Sequence, residues 1–325
     1  MKTDDGSDAN PSGHLILTLQ ERDELRALVQ DLVDAPPNRL EDPKWIDAAR
    51  ERSCHLPVRL REAVRLFRAD PGLGGVLRIS GLPTGTVPAT PTEKDSVEHQ
   101  TTVAAAALVL CVMGLGELAA FRPEKHGALV QNVVPVPGRE SSQSNAGSQN
   151  LKMHVENAFH TMRPDYVALS CLRNDHDGNA GLQVASVRLA LREVPEKHQR
   201  ILREARFRTC PPPSFNGGGN PVVHPVLDGA ADDPNVRVDF SSTSPLDDEG
   251  AAAMGALHDA LDSVRVSLLL APGDLAVIDN RLVLHGRTAF SPRYDGNDRW
   301  LHRSFVHLDP RRTRALRTGG GYVID

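Results

Sequence analysis

Cysteine, aromatic residues and long apolar runs are all scarce in this chain of 325 residues, and each scarcity excludes a class of protein. The four cysteines are widely spaced and form no CxxC pair, so neither a disulfide framework nor a zinc knuckle is expected. Aromatic residues make up only 4% of the chain, so aliphatic side chains must form most of the core. The apolar run at residues 103–115 is about 13 residues long, short of the roughly 20 in a membrane-spanning helix, and indicates a buried helix.

A concentrated patch of charge is also lacking. The 37 Lys and Arg residues are mixed with 42 Asp and Glu residues, for a net charge of -5. A nucleic-acid-binding surface needs a basic stripe, so no nucleic-acid partner is expected. The opening residues, MKTDDGSDANPSGH, are polar and contain no apolar segment, which argues against a signal peptide. We therefore expect a cytoplasmic protein without a membrane partner.

The first third of the chain is predicted to be mostly helical, after a disordered tail at residues 1–13. Apolar residues at helical spacing predict three helices, at residues 15–33, 56–67 and 97–115. In the first of these, Thr18 and Glu21 form a capping-box pattern that predicts where the helix starts. A short strand is predicted at residues 75–79.

From about residue 126, short apolar segments alternate with Gly, Pro and Asn. The predicted strands lie at residues 128–136, 166–172, 184–191, 236–240, 267–270, 275–278 and 300–308. Two predicted helices interrupt them, at residues 196–205 and 247–264. Many short strands with turn residues between them favour a β-sandwich or barrel over a parallel α/β sheet. The long polar segments 138–150 and 211–221 are typical of lids or binding loops.

Three residues form a pattern that predicts a metal site. His154 and Glu156 are two residues apart, so on an extended chain both side chains point to the same face. His285 follows the predicted strand 275–278 and supplies a second imidazole. Two imidazoles and a carboxylate form a facial triad that leaves three coordination positions open, which suits non-haem Fe(II).

By itself this triad is a weak signal. Thirteen histidines and 42 acidic residues produce HxE or HxD pairs by chance, and the alternative interpretation is a polar pair at the surface. The pair His307 and Asp309 is such a competitor, although no histidine follows it and it lies at the end of the last predicted strand.

Two arginines after the triad strengthen the metal prediction. The Asp-Gly-Asn turn at residues 295–297 is expected to reverse the chain after the His285 strand and to bring the next strand back beside the metal. On that strand Arg299 and Arg303 are four residues apart and point to one face. The planar fork of arginine grips a carboxylate at two points, so two such groups predict two bound carboxylates. The alternative is a pair of surface arginines.

Long segments then resemble a known family. The segments HVENAFHTMRPDYVALSCLRN, LAVIDNRLVLHGRTAFSPRYDGNDRWLHRSFV and GGGYVID are similar to the clavaminate synthase-like branch of the 2-oxoglutarate oxygenases, and the resemblance covers about residues 125–325. This branch includes hydroxylases of free arginine, asparagine and lysine. The resemblance implies a mainly β fold with flanking helices: a double-stranded β-helix (jelly-roll) core at about 121–325, a helical N-terminal part at about 14–120 and helical inserts. It implies one oxygenase domain over residues 14–325.

The resemblance also implies the cofactors and their ligands. Fe(II) would be bound by His154, Glu156 and His285, with 2-oxoglutarate as co-substrate and O2 as oxidant. Arg299 would bind the distal carboxylate of 2-oxoglutarate. Relatives often carry a pair of threonines where this chain has Leu182 and Gln183. We therefore expect either that Gln183 replaces a hydroxyl contact to the keto acid or that this contact is missing.

Four further residues would bind the substrate, a small-molecule amino acid. Arg303 would take its α-carboxylate, Asp239 would read a polar side chain, and Asn145 and Gln131 would surround the amino end. Relatives that take arginine tend to pair two acids near the position of Asp239, whereas residue 237 is an arginine. This favours lysine, citrulline or a similar polar amino acid over arginine.

The expected reaction is hydroxylation of an unactivated C3 or C4 carbon of a free polar or basic L-amino acid, in the biosynthesis of a peptide natural product. Related halogenases lack the metal-binding carboxylate, so an intact Glu156 favours hydroxylation. Desaturation, ring closure and a carrier-tethered substrate stay open, as does a homodimer. A remote alternative is a non-catalytic β-barrel that binds a small molecule.

Overall fold

The computed structural model describes residues 13–215 and 221–325, and within these ranges the chain forms seven α-helices and eighteen strands. The helices are α1 (Leu19–Val33), α2 (Pro43–Ser53), α3 (Val58–Ala69), α4 (Val103–Val112), α5 (Val187–Ala190), α6 (Glu196–Leu202) and α7 (Asp248–Ser263). The strands are β1 (Gly13–Ile16), β2 (Val76–Ser80), β3 (Val97–Glu98), β4 (Glu117–Phe121), β5 (Val130–Val133), β6 (Leu151–His154), β7 (Tyr166–Arg173), β8 (Leu182–Ser186), β9 (Phe207–Thr209), β10 (Val223–His224), β11 (Leu227–Gly229), β12 (Pro234–Val236), β13 (Thr243–Pro245), β14 (Val266–Leu268), β15 (Asp274–Asp279), β16 (Val283–Arg287), β17 (Trp300–His307) and β18 (Val323–Ile324).

Two sheets form the jelly-roll core that the sequence predicts. The major sheet has nine strands in the order β1-β2-β15-β7-β17-β4-β18, with β5 paired to β17 and β3 paired to β5. The minor sheet has four strands in the order β14-β8-β16-β6. Apolar side chains of both sheets share one core, in which Val167 and Leu169 of the major sheet belong to the same cluster as Val184 and Leu284 of the minor sheet.

The side chains of β7 show how the major sheet separates two cores. Val167 and Leu169 belong to the core between the sheets, whereas Tyr166 and Ala168 belong to a second core shared with the N-terminal helices. Successive side chains on a strand point to opposite faces, so a strand buried on both faces is apolar throughout. Residues 166–172 were predicted as a strand, and this is confirmed.

The N-terminal helices cover the outer face of the major sheet. Every residue of α4 except Val103 is buried, which confirms the buried helix predicted from this apolar run. None of the helices in the described ranges is long and apolar enough to cross a bilayer. Thr18 caps α1 as predicted: its hydroxyl accepts from the Glu21 N–H, and the Glu21 carboxylate accepts from the Thr18 N–H.

Several predicted element boundaries were wrong. Residues 13–16 form β1, which pairs in parallel with β2, so the first residues of the predicted segment 15–33 are a strand. The helix begins at Leu19, directly after the predicted cap Thr18. The tail predicted at residues 1–13 lies outside the described residues apart from Gly13, as do residues 216–220 of the second predicted loop. Helix α2 was not predicted, although Asp42 as N-cap and Pro43 at the first turn are its start signals.

Two further boundaries differ for local reasons. The helix predicted at 97–115 is shortened to α4, because Val97 and Glu98 pair with β5 and Thr102 caps the helix. The strand predicted at 184–191 ends at Ser186, where the chain turns into α5 and the Val187 N–H donates to the carbonyl of Leu282.

The turn at residues 295–297 does not form the predicted hairpin. Strand β16 pairs with β6 and β8 in the minor sheet, whereas β17 pairs with β4, β5 and β7 in the major sheet. Residues 288–299 therefore carry the chain from one sheet to the other. As a result, His285 and Arg303 lie on opposite sheets instead of on neighbouring strands of one sheet.

Candidate active site

The three predicted metal ligands lie together at one end of the minor sheet. His154 is the last residue of β6 and is the register partner of His285 on β16, with ring centroids 4.4 Å apart. Glu156 follows just beyond β6, and its Oε2 lies 3.7 Å from His285 Nε2. One potential ligand atom from each residue lies within 4.8 Å of the other two. The structure thus brings the triad into one cluster.

The hydrogen bonds and charges of the two imidazoles fit a divalent cation. His154 Nδ1 donates to the carbonyl of Lys152 at 2.8 Å, which leaves Nε2 with a free lone pair. Metal-binding histidines commonly donate their other ring N–H in this way. Burial, together with the nearby His154, lowers the pKa of His285, so that this ring is neutral. Two neutral imidazoles and one carboxylate are the donor set that Fe(II) takes in a facial triad.

The carboxylate of Glu156 is held in its ionised form. Burial alone would raise its pKa, but the Arg303 guanidinium and the two imidazoles outweigh burial and hold the pKa of Glu156 well below its usual range. Arg303 Nη1 donates to Glu156 Oε2 at 3.0 Å. The predicted metal ligand and the predicted substrate-binding arginine are therefore in direct contact.

Arg303 is the centre of a buried polar cluster. Only 3% of the Arg303 side chain is exposed, and its Nε donates to Gln131 Oε1 at 3.2 Å from the neighbouring strand β5. With its amide oxygen turned inward, Asn145 accepts from Arg303 Nη1 at 2.8 Å and from Nη2 at 3.1 Å. The structure thus brings together three of the four residues predicted to bind the substrate.

Glu124 belongs to this cluster and was missed by the sequence prediction. Its carboxylate accepts from Arg303 Nη2 and, at 3.2 Å, from Asn157 Nδ2. Burial raises the pKa of Glu124 despite Arg303, and the Glu156 carboxylate adds to the rise. Two carboxylates, those of Glu124 and Glu156, thus face the single guanidinium of Arg303. The positive charge of a bound ligand would balance the second negative charge. The available signal was an acidic residue shortly after the buried strand β4.

Arg299 lies at the other end of the site. Only 5% of Arg299 is exposed, and its guanidinium lies 5.9 Å from the centroid of Phe290. Arg287 approaches the same ring at 5.2 Å. Among the described residues, no carboxylate forms an ion pair with either arginine. Two buried guanidinium groups without an acidic partner suit an anionic ligand such as the distal carboxylate of a keto acid.

Asp239 lies beside the triad. It forms an isolated antiparallel bridge with His154, so the two side chains share a face. The Asp239 carboxylate accepts from the Ser241 N–H at 2.7 Å, from the Ser241 hydroxyl at 2.6 Å and from the Ser242 hydroxyl at 2.7 Å. The Asp239 carboxylate is thus next to the metal centre, but it already accepts three hydrogen bonds from the two serines of the turn that follows it.

Gln183 is the one predicted site residue that the structure does not bring to the site. In the register of β8 and β16, Gln183 pairs with Gly286, whereas Val184 pairs with His285. Paired residues share a face of the sheet, so Gln183 points to the face opposite His285. Leu182, not Gln183, shares a face with Arg287. This register does not support the expected contact between Gln183 and the keto acid.

The loop 138–150 lies against the site and is tied to the segment that follows β16. The carbonyl of Ser148 accepts from the Phe290 N–H at 3.0 Å, and Asn150 Oδ1 accepts from the Ala289 N–H at 2.9 Å. At the other end of the loop, the Tyr294 hydroxyl donates to Glu140 at 2.6 Å. These bonds place Asn145 over Arg303.

The competing pair His307 and Asp309 does not form a metal cluster in the part of the chain that the structure describes. Asp309 instead caps the following turn by accepting from the Arg311 N–H at 2.9 Å. His176, Asp295 and Asp298 form the second group with ligand-like spacing, and Asp295 in it is exposed. The triad differs from this group in two ways: it has no exposed member, and its carboxylate, Glu156, accepts from Arg303.

Comparison with known proteins gives the family. The model of the "Taurine catabolism dioxygenase TauD, TfdA family" matches residues 97–305. The chain belongs to this dioxygenase family. The resemblance found in the sequence is confirmed, and this TauD, TfdA family member is an oxidoreductase that uses Fe(II), 2-oxoglutarate and O2.

Individual relatives in the TauD, TfdA family are similar to this chain over nearly their whole length. It is 44% identical over 321 residues to an L-asparagine oxygenase of Streptomyces coelicolor, which covers 97% of this chain and 96% of the relative. It is 35% identical to clavaminate synthase 2 of Streptomyces clavuligerus, over 89% of this chain and 90% of the relative. A crystal structure of asparagine oxygenase with Fe(II), (2S,3S)-3-hydroxyasparagine and succinate superposes with a TM-score of 0.93 at 43% identity, covering 96% of this chain and 98% of that one.

Proposed function

We propose that this dioxygenase hydroxylates the C3 carbon of a free polar L-amino acid, with L-asparagine as the first candidate. One observation carries the proposal: the Arg303 guanidinium and the Glu124 carboxylate contact each other beside the metal triad. A free amino acid presents an α-carboxylate to the first group and an α-ammonium to the second. An amino acid tethered as a thioester has lost its carboxylate, so this pair favours a free substrate.

In this proposal His154, Glu156 and His285 bind Fe(II), and Arg299 binds the distal carboxylate of 2-oxoglutarate. Bound Fe(II), with 2-oxoglutarate and O2, supplies an oxidant strong enough to attack an unactivated C–H bond. The task of the chain is to place the substrate and to exclude water. The contact of the loop residue Asn145 with the buried Arg303 closes the loop over the site and serves the second purpose.

The buried cluster around Arg303 would orient the α groups of the substrate. The α-carboxylate takes the two Arg303 N–H groups that Asn145 accepts from in the substrate-free site, and the Asn145 amide then turns to the substrate. Glu124 accepts from the α-ammonium, and Gln131 holds the Nε side of Arg303. Fixing both α groups fixes Cα, so the adjacent C3 is the first side-chain carbon presented to the metal centre.

The side chain of the substrate would be read by Asp239. A carboxylate offers about four lone-pair positions, and three of those on Asp239 accept from Ser241 and Ser242. One position remains, which suits a single N–H of a carboxamide. A guanidinium fork needs two acceptor positions, so this arrangement disfavours arginine.

The similarity to asparagine oxygenase supports the same substrate. The Streptomyces coelicolor relative is 44% identical over 97% of this chain, and the asparagine oxygenase crystal structure that is 43% identical holds a product hydroxylated at C3. Lysine and citrulline, which the sequence favoured, are the rival substrates. Glu156 occupies the third protein-ligand position, which supports hydroxylation over halogenation.

The test is a screen of all free proteinogenic L-amino acids and citrulline with Fe(II), 2-oxoglutarate and ascorbate, followed by mass spectrometry. We expect asparagine to give a product one oxygen heavier, and NMR to place the hydroxyl at C3. A product two hydrogens lighter would indicate desaturation or ring closure. Turnover of lysine or citrulline without turnover of asparagine would overturn the substrate assignment, and full turnover by His154→Ala would overturn the metal site.

A further inference from the structure

We infer that Asn280 is a positioning residue that fixes the backbone of the metal-binding carboxylate Glu156. This inference rests on the metal triad of the proposed function but not on the identity of the substrate. Asn280 follows strand β15 of the major sheet and is fully buried, with 0% of its surface exposed. In the described structure its side-chain hydrogen bonds go to backbone groups and not to the three metal-ligating side chains, so it would act through the backbone of Glu156.

The side chain of Asn280 takes the place of a neighbouring strand. Its Oδ1 accepts from the Glu156 N–H at 2.7 Å, and its Nδ2 donates to the Glu156 carbonyl at 3.1 Å. Nδ2 also donates to the carbonyl of Pro164 at 2.9 Å. The carboxamide therefore satisfies both backbone polar groups of Glu156, as a paired strand would.

Glu156 needs this support because it lies beyond the end of β6. The ladder of the minor sheet stops at His154, and Asn157 has a left-handed backbone with φ of 52°. The direction of the Glu156 side chain is thus set between a regular strand and an irregular turn. Without Asn280, Glu156 would be held by these flanking elements, by the bond from the Val155 N–H to the Val238 carbonyl and by the side-chain bond from Arg303, but its own backbone groups would lose their partner.

Asn280 also joins the two sheets at the metal centre. Its own N–H donates to the carbonyl of Asp165 at 2.9 Å, just before β7, and His285 follows five residues later on β16. The residue thus connects the major sheet, the Glu156 turn and the strand of the second imidazole. Partners that orient metal ligands in this way typically contribute about 10- to 100-fold to metal affinity or activity.

The test compares Asn280→Ser with Asn132→Ser. Asn132 is the matched control because it is also buried and forms three hydrogen bonds, with Ser96, Glu98 and Trp300. Metal-free protein is titrated with Co(II), followed by its visible absorption, without keto acid or amino acid. We expect Asn280→Ser to weaken Co(II) binding about 10- to 100-fold. Asn132→Ser should stay within about twofold of the unsubstituted protein, because the hydrogen bonds of the Asn132 side chain involve none of the three metal ligands.

Two additions keep the test decisive. Asn280→Asp preserves the shape of the side chain and the acceptor for the Glu156 N–H, but it removes the donor to the Glu156 carbonyl. This variant replaces Asn280→Ser in the Co(II) titration if the serine variant does not fold. In both Asn280 variants we expect more succinate formed per hydroxylated product than in Asn132→Ser. Equal Co(II) affinity in the Asn280 and Asn132 variants would overturn the inference. If His154→Ala also binds Co(II) normally, the metal site itself is wrong, which is a separate result.

Discussion

Arg303 donates to Glu156 across 3.0 Å, so the proposed substrate-binding arginine and the proposed metal-binding carboxylate form one buried ion pair. Arg303→Lys keeps the charge but loses the fork. We expect the KM for the amino acid to rise about 10- to 100-fold, the range of a charged hydrogen bond worth about 1.5–3 kcal/mol. The KM for 2-oxoglutarate should not change.

Arg299→Lys is the matched comparison for that variant. It should raise the KM for 2-oxoglutarate and leave the KM for the amino acid unchanged, because Arg299 lies beside Phe290 and not in the Arg303 cluster. Steady-state kinetics with each substrate varied in turn measures both values. If either variant raised both KM values equally, the assignment of the two arginines to two carboxylates would fail.

Glu124→Gln tests the proposed receptor for the α-ammonium group. The change removes the charge while keeping the shape, so we expect kcat/KM for the amino acid to fall about 10- to 100-fold. Binding of the same compound without its amino group should not weaken, which calorimetry with Mn(II) and 2-oxoglutarate measures. Glu117→Gln is the control, because Glu117 pairs with Arg50 away from the site. An equal loss for both ligands would show that Glu124 is only structural.

The parts of the fold and of the site that were predictable from the sequence depend on local spacing. His154 and Glu156 follow from the two-residue repeat of an extended chain, and the capping box of Thr18 follows from a three-residue pattern. Glu124 and Asn280 depend on contacts across the fold, with Arg303 and with Glu156, that no local pattern contains.

The hairpin predicted after His285 was wrong for the same reason: the pairing of the next strand depends on contacts across the fold that no local pattern contains. An Asp-Gly-Asn segment indicates that the chain turns, but not which sheet the next strand joins. That choice depends on the burial of β17, whose eight residues are all buried between β7 on one side and β4 and β5 on the other. The correct pairing places Arg303 opposite the triad, where it contacts Glu156.

Metal removal should lower the stability of the folded chain. A ligand that binds only the native state at 100 times its dissociation constant adds about 2.7 kcal/mol to the free energy of unfolding. We expect Mn(II) with 2-oxoglutarate to raise the urea midpoint, and a chelator to reverse the rise. His154→Ala should show neither effect. A rise of equal size in that variant would place the ion elsewhere.

Thr18→Ala should destabilise the chain without affecting the site. Loss of an N-cap hydroxyl typically costs about 1 kcal/mol. The reciprocal bonds between Thr18 and Glu21 make this cap a full capping box. Urea denaturation should show the loss, and Thr18→Ser should retain most of the stability. Unchanged stability of Thr18→Ala would mean that packing of α1 alone holds the helix start.

His224 should make the free energy of unfolding depend on pH. Burial lowers the pKa of His224 to about 4, and Arg237 and Arg163 act in the same direction. The unfolded chain, with an ordinary pKa near 6.5, binds more protons between about pH 4 and 6.5, so stability rises with pH across this window. The contribution is present above pH 6.5 and is lost as the pH falls to 4.

A pKa difference of about 2.5 units corresponds to about 3–4 kcal/mol, and solvent screening of the imidazole should reduce the observed effect to about 1–3 kcal/mol. In the folded chain the neutral ring donates from Nδ1 to the Pro225 carbonyl at 2.7 Å and accepts at Nε2 from the Thr209 hydroxyl at 2.8 Å. His224→Gln removes the titrating group, so its stability should vary less between pH 4 and 6.5. All other titratable groups are common to both proteins and cancel in the comparison. Parallel pH profiles from urea denaturation would show that His224 has no lowered pKa.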